Sequence, residues 1–209
     1  FFIVVFAGFA LLSKKTTLRN AYLMLASFFF YYKTSGTFLI LLVFSILFAY
    51  STGALIHGAK KSWHKKALLI SSVVVHLFFL CYFKYAYFFA DVVSDLSGFH
   101  LHVFDPLALL GNALVQTDYF SIDRILLPVG ISFFTFQILT YVVDIYRGKL
   151  EPLRSLSDFG FYVSFFPQLV AGPIVRASEF IPQLHKTSIL TKAEFGLALF
   201  MILKGLFKK

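Results

Sequence analysis

The sequence predicts an all-α, polytopic transmembrane helical bundle containing one broken or re-entrant helix. Three observations carry that prediction. The 209 residues are 59% hydrophobic and only 14% charged, with a mean hydropathy of +0.81, whereas soluble domains are roughly half apolar and a quarter charged. Apolar runs alternate with short basic loops, the pattern of helices that cross a bilayer. The run Phe159–Val170 is apolar but twelve residues long, too short to cross where about twenty residues are needed.

Composition also excludes partners. The net charge of +9 is spread over short loops between apolar runs, so membrane lipid with anionic headgroups is the expected counterpart and nucleic acid is not. Aromatic residues make up 20% of the chain, 29 of them phenylalanine, which suits lipid-facing and interfacial positions. Cys81 is the only cysteine, so no intrachain disulfide can form.

In order, Phe1–Leu12 is a continuous apolar run with no basic residue ahead of it, the tail of a spanning helix and not a signal peptide. A loop from Ser13 to Asn20 carries Lys14, Lys15 and Arg19. Ala21–Tyr32 is apolar, short for a crossing, and ends in an aromatic cluster suited to an interface. Thr37–His57 and Ala67–Ala90 are long enough to span, separated by Gly58–Lys66 with its four lysines. From Asp91 to Arg124 the composition turns acidic, with a short amphipathic helix expected at Leu107–Val115. Leu126–Val143 crosses again. The positive-inside rule then puts the loops at 13–20 and 58–66, and the turn holding Asp144, Arg147, Lys149 and Arg154, in the cytoplasm, and the 91–124 loop outside. Thr191 and Glu194 form a capping-box pattern opening Phe195–Phe207, an interfacial helix or a spanning one.

Leu127–Arg176 organises the chain. Stepping by threes and fours from Gly130 puts Phe133, Gln137, Thr140, Tyr141 and Asp144 on one helix face. Such a stripe faces protein or a water-filled cavity and not lipid; it is either glue between helices or part of a reaction site. Pro167 and Pro173 interrupt helix near Pro167 and across Ala171, Gly172 and Pro173, and irregular backbone at membrane depth is tolerated only inside protein or along a cavity. Arg176 follows the break, with Asp144 a candidate partner or with its charge snorkelling to the interface. Elsewhere, His76 reads as a neutral histidine hydrogen-bonded to a neighbouring helix, and Lys84 as snorkelling outward. His100, His102 and Asp105 have metal-ligand types but read as a solvated loop, so no metal is expected. Gly130-Ile-Ser132 is not a hydrolase elbow, because Phe134 stands at the second glycine position. The chain shows no phosphate loop and no repeat.

Three blocks in this order, Pro128-Val-Gly130-Ile-Ser132-Phe133-Phe134-Thr-Phe136-Gln137, Asp144-Ile-Tyr146-Arg147-Gly148 and Ser164-Phe-Phe-Pro167-Gln-Leu-Val-Ala-Gly172-Pro173-Ile-Val-Arg176, closely resemble the membrane-bound O-acyltransferase family. The likeness is to its bacterial branch, which O-acetylates alginate and other exported polysaccharides or D-alanylates teichoic acids. It takes in Arg19-Asn20, Phe83-Lys84-Tyr85 and Gly205-Leu-Phe-Lys-Lys209 as well. The resemblance implies a multi-pass enzyme of the bacterial inner membrane, with no bound cofactor. It would carry an acyl group, acetyl by expectation, from a cytoplasmic donor, acetyl-CoA or an acyl carrier protein thioester, through a tunnel to hydroxyls of a cell-surface polysaccharide. An extracytoplasmic acyltransferase partner is implied too.

The family's catalytic histidine lies downstream of the block ending at Arg176. The resemblance therefore assigns no catalytic residue to this chain, which reads as a single membrane domain over 1–209, the N-terminal part of a longer enzyme and inactive alone. Tunnel or substrate-path candidates are Gln137, Tyr141, Asp144, Arg147, Pro167, Gly172, Pro173 and Arg176. Two rival readings are a transporter with discontinuous helices and a truncated polypeptide that only packs against partners.

Overall fold

The computed structural model describes residues 1–98, 102–115, 122, 125, 127–185 and 191–208. Among these residues there are ten helices and no strand: α1 (Phe2–Leu11), α2 (Thr16–Ser35), α3 (Phe38–Gly58), α4 (Ser62–Ser97), α5 (Pro106–Val115), α6 (Ile131–Tyr146), α7 (Leu156–Ser164), α8 (Phe166–Ala171), α9 (Ala177–Leu184) and α10 (Lys192–Lys208). Among them, α3 and α4 are long and apolar enough to cross a membrane.

At the core α3, α4 and α6 pack against one another, each touching the other two, with α7 laid against α2 and α3. Small residues four apart on α3 make this possible. Ser45, Ala49 and Gly53 are all buried, and a Cβ on Gly53 would stand 3.0 Å from Ile145 Cδ1 and 3.1 Å from the Tyr141 ring. In lipid, where helix association rests on close packing and interhelical hydrogen bonds, such a stripe lets backbones approach. His76 on α4 is fully buried, its Nδ1 2.7 Å from the Ser72 carbonyl and its Nε2 3.4 Å from the Ser45 carbonyl of α3. The neighbouring helix is within hydrogen-bond distance of Nε2, while the shorter contact lies within α4, and a neutral ring donates to one of these two carbonyls. Lys84 is exposed and donates to Ser132 Oγ at 3.4 Å.

Helix ends differ from expectation in ways that have local causes. α2 begins at Thr16 and runs 20 residues, because Arg19 and Asn20, expected in a loop, are buried inside the protein as part of the helix. The added first turn is polar, so α2 has the length of a crossing without being among the helices apolar enough for one. α4 runs past Ala90 through Asp91 and Asp95 to Ser97; charged residues do not stop a helix, and Gly98, left-handed at φ 72°, does. α6 starts at Ile131, since Pro128 and the left-handed Gly130 (φ 72°) delay it. Asp105 is not in a solvated loop: it is 3% exposed and caps α5, accepting the N–H groups of Leu107 (2.9 Å) and Ala108 (3.1 Å). His100 lies outside the described residues. The expected capping box is reciprocal, Thr191 N–H donating to Glu194 Oε2 (2.8 Å) and Glu194 N–H to Thr191 Oγ1 (3.3 Å).

Candidate functional site: a re-entrant hairpin held at its base

The stretch from α7 to α9 enters and leaves on one side of the bundle. Ser155 caps α7, accepting the Asp158 N–H at 3.2 Å. The backbone breaks at Phe165 (φ −52°, ψ 103°), two residues before Pro167. The expected interruption near Pro167 falls at Phe165, because a proline is accommodated in the first turn of a helix, here α8, where its missing N–H breaks no bond. Ser27 of α2 repairs the interruption: its Oγ accepts the Phe166 N–H at 3.3 Å and donates to the Leu23 carbonyl at 2.8 Å.

At the far end α8 meets the start of α6. A Cβ on Gly130 would stand 2.8 Å from the Leu169 carbonyl oxygen. The chain then leaves helix at Gly172, whose N–H donates to the Gln168 carbonyl at 2.8 Å and whose Cβ position lies 2.6 Å from Gln168 Cα. Two side chains hold the return strand. Gln168 Nε2 donates to the Pro173 carbonyl at 3.1 Å, and Tyr162 Oη donates to the Val175 carbonyl at 2.8 Å. Arg176 then caps α9 through its carbonyl, which accepts from Glu179 and Phe180.

α9 descends to where α7 began. Arg19 Nη2 donates to the Leu184 carbonyl at the C-terminal end of α9, and its guanidinium lies 5.6 Å from the centre of the Phe9 ring. Asn20 Nδ2 donates to Asp158 Oδ1 at 3.1 Å, and His185 Nε2 stands 3.5 Å from Asp158 Oδ2. The Arg19 guanidinium at the end of α9 and a carboxylate in the first turn of α7 match the helix dipoles. Sequence reading had counted Arg19 as loop charge; its buried role depends on a carbonyl 165 residues away.

The polar stripe of α6 faces this hairpin. Gln137 and Tyr141 are buried, and Phe133, Thr140 and Asp144 are half-buried. Tyr162 lies within electrostatic reach of Thr140, Asp144 and Glu179. Arg176 is exposed, and no ion pair within 4.0 Å joins it to Asp144. The turn after α6 is built just as tightly. Lys149 N–H returns to the Asp144 carbonyl (2.9 Å) and Gly148 N–H to that of Ile145 (3.0 Å), a Schellman motif on left-handed Gly148. Arg147 caps α6 there and is exposed. Tyr141 Oη accepts the Leu153 N–H (3.1 Å), and Tyr50 Oη donates to the Arg154 carbonyl (2.9 Å).

Pro167 is exposed and lines an apolar groove of about 220 Å³ with Phe2, Phe6, Phe9 and Phe165. Gly172 is half-buried and Pro173 exposed. Among the described residues no group of three or more His, Cys, Asp or Glu is placed to hold a metal.

Over its whole length the chain is similar to proteins named probable alginate O-acetylase AlgI, 35% identical in Pseudomonas aeruginosa over 211 residues and 34% in Azotobacter vinelandii over 213. Over 99% of its length it is similar to a peptidoglycan O-acetyltransferase of Helicobacter pylori, at 32% identity. The chain spans 37%, 38% and 41% of the length of these three relatives. No family model matches it, and no solved structure does.

Proposed function

Because this chain belongs to the membrane-bound O-acyltransferase family, we propose that it forms part of an enzyme of the bacterial inner membrane that acetylates hydroxyls of an exported cell-surface polysaccharide. The observation that carries the proposal is full-length similarity to O-acetyltransferases named for two different acceptors, alginate and peptidoglycan. What these relatives share by name is the acetyl chemistry. The donor in this reading is a cytoplasmic thioester, acetyl-CoA or an acyl carrier protein. The acceptor oxygen attacks the thioester carbonyl, the C–S bond breaks, and the hydroxyl proton leaves through a general base to the departing thiolate.

The part of this chain in that reaction is to build the acyl path. Gln137, Tyr141 and Asp144 supply a polar wall on α6, Pro167 opens the short helix α8, and Gly172, Pro173 and Arg176 supply the irregular backbone that follows it. Arg147, with the turn to Arg154, forms a cytoplasmic rim where the donor docks, and an extracytoplasmic acyltransferase is the partner on the other side. The clustering of Lys14, Lys15, Lys60, Lys61, Arg147, Lys149 and Arg154 in turns between helices supports that orientation. The test is Arg176→Ala in the intact enzyme, read as base-labile acetate on the polysaccharide. Acetyl transfer should fall at least about tenfold, a loss of about 1.4 kcal/mol in transition-state stabilisation, with membrane insertion unchanged; unchanged turnover would remove Arg176 from the path.

A further inference from the structure

α2 carries three hydroxyls four residues apart on one face, Ser27, Tyr31 and Ser35. The outer two are spent on backbone that has left a helix. Ser27 Oγ accepts the Phe166 N–H at 3.3 Å, beside the break at Phe165. Ser35 Oγ accepts the Val129 N–H at 3.2 Å, just ahead of the left-handed Gly130 that precedes α6. Eight residues make about 12 Å of helix, so these two bonds fix the C-terminal half of α2 against the start of α8 and the approach to α6 at once.

Tyr31 stands midway between them. It is fully buried, and its hydroxyl has no hydrogen-bond partner. Ser35 acts on that hydroxyl electrostatically without bonding to it. Ser164, the last residue of α7 and one residue ahead of the same break, is likewise fully buried with its hydroxyl unpartnered. A hydroxyl sealed from water forfeits its hydration with no bond in return. Buried polar groups are almost always paired, so two left open at one break point to a partner that the fold does not itself supply.

The chemistry of that partner follows from the surroundings. The large side chains that α6 and α8 bring to this junction, Ile131, Phe134, Phe166 and Leu169, are buried and apolar, and Gly130 lies against Leu169 there. A phenolic donor among such side chains matches a ligand with one acceptor oxygen and a small apolar remainder. An acetyl group has that composition, whereas a sugar brings several hydroxyls that all need partners.

We propose that Tyr31 is an acyl-binding residue, its O–H donating to the carbonyl oxygen of the acyl group at the break between α7 and α8. This rests on the acyl-transfer reading above and extends the acyl path to α2. A donor kept free for its ligand is aimed in advance at where the acyl oxygen will lie, and the fold gives up stability to keep it so.

The test compares Tyr31→Phe with the parent in the intact enzyme, by thermal unfolding in detergent and by base-labile acetate on the polysaccharide. Phenylalanine keeps the ring and removes only the open hydroxyl, so the unfolding midpoint should stay level or rise. Acetyl transfer should nonetheless fall about tenfold, as the loss of one hydrogen bond to the acyl oxygen does, with KM for the polysaccharide unchanged. Ser27→Ala supplies the contrast, since it removes an acceptor that the Phe166 N–H uses and should lower the midpoint. A midpoint lowered by Tyr31→Phe as well would show that the hydroxyl already has a structural partner, an internal water included, and would overturn the proposal. So would a raised KM for the polysaccharide, which assigns the hydroxyl to the acceptor sugar. Equal transfer by Tyr31→Phe and an active parent would end the inference and leave the enzymatic reading standing, whereas a parent without transfer removes both. The midpoint is read without turnover, so the two failures remain separate.

Discussion

Asn20 and Asp158, 138 positions apart in sequence, are joined by a 3.1 Å hydrogen bond, and the same Asn20 amide reaches the Leu184 carbonyl at 3.5 Å, so one side chain of α2 meets both ends of the re-entrant hairpin. The carboxylate is buried between that amide and His185, and Arg19 beside it secures the end of α9. A hairpin that enters and leaves a bundle from one side has no far anchor, so its base is where its stability is set.

Replacing Asn20 with leucine should therefore loosen α9 more than any other helix. A hydrogen bond to a charged group contributes about 1.5–3 kcal/mol. Amide exchange over residues 177–184 should speed by about 30-fold, the equivalent of 2 kcal/mol, while exchange in α3 stays unchanged. Protection in α9 equal to that of the parent protein would show that Arg19 alone secures the base.

Gly130→Ala tests the contact between α6 and α8. The left-handed φ of 72° and the Leu169 oxygen 2.8 Å from the new Cβ both oppose it, and a strained backbone of this kind costs about 1–3 kcal/mol. A lower midpoint of thermal unfolding in detergent is expected. Gly148→Ala, with a similar φ of 69° and nothing within 4 Å, should cost less, since strain acts there without a clash.

Tyr162→Phe keeps the ring in the core and removes the bond to the Val175 carbonyl. The overall loss should be about 1 kcal/mol. If the 173–176 strand lines the acyl path, acetyl transfer should drop while the amount of inserted protein holds. Equal transfer by the two proteins would mean that this bond has only a structural role.

Asp105 gives a pH dependence with a definite sign. Burial pushes its carboxyl above the ordinary carboxylate range, partly offset by the N–H groups of Ala108 and Leu107. Its folded form holds the proton more tightly than its unfolded form, so its titration stabilises α5 fully below the ordinary carboxylate range, and that contribution is lost as pH rises through the raised value. Asp105→Asn keeps an acceptor at the cap and should abolish this dependence, whereas Asp105→Ala, equally without a titrating group, should be about 1 kcal/mol less stable than the Asn variant at every pH. Proteolysis between α4 and α6 as a function of pH reads the difference; identical profiles for parent and Asn variant would defeat the assignment.

Helices, their apolar faces, the interruption before Pro173 and the inward turn of Gln137 and Asp144 could all be read from the sequence. Each depends on residues within a turn or two of one another: 3.6-residue periodicity, the missing N–H of proline, the left-handed freedom of glycine, and the cost of a polar group in lipid. Which groups meet across the bundle was decided only by packing. Arg19 reads as loop charge until the Leu184 carbonyl is brought beside it, and the pairing of Asp144 with Arg176 that the sequence suggests is not made. A side chain's partner depends on the depth and rotation of two helices at once, and those are set by close contacts such as Gly53 on Tyr141 and Gly130 on Leu169, which no local pattern encodes.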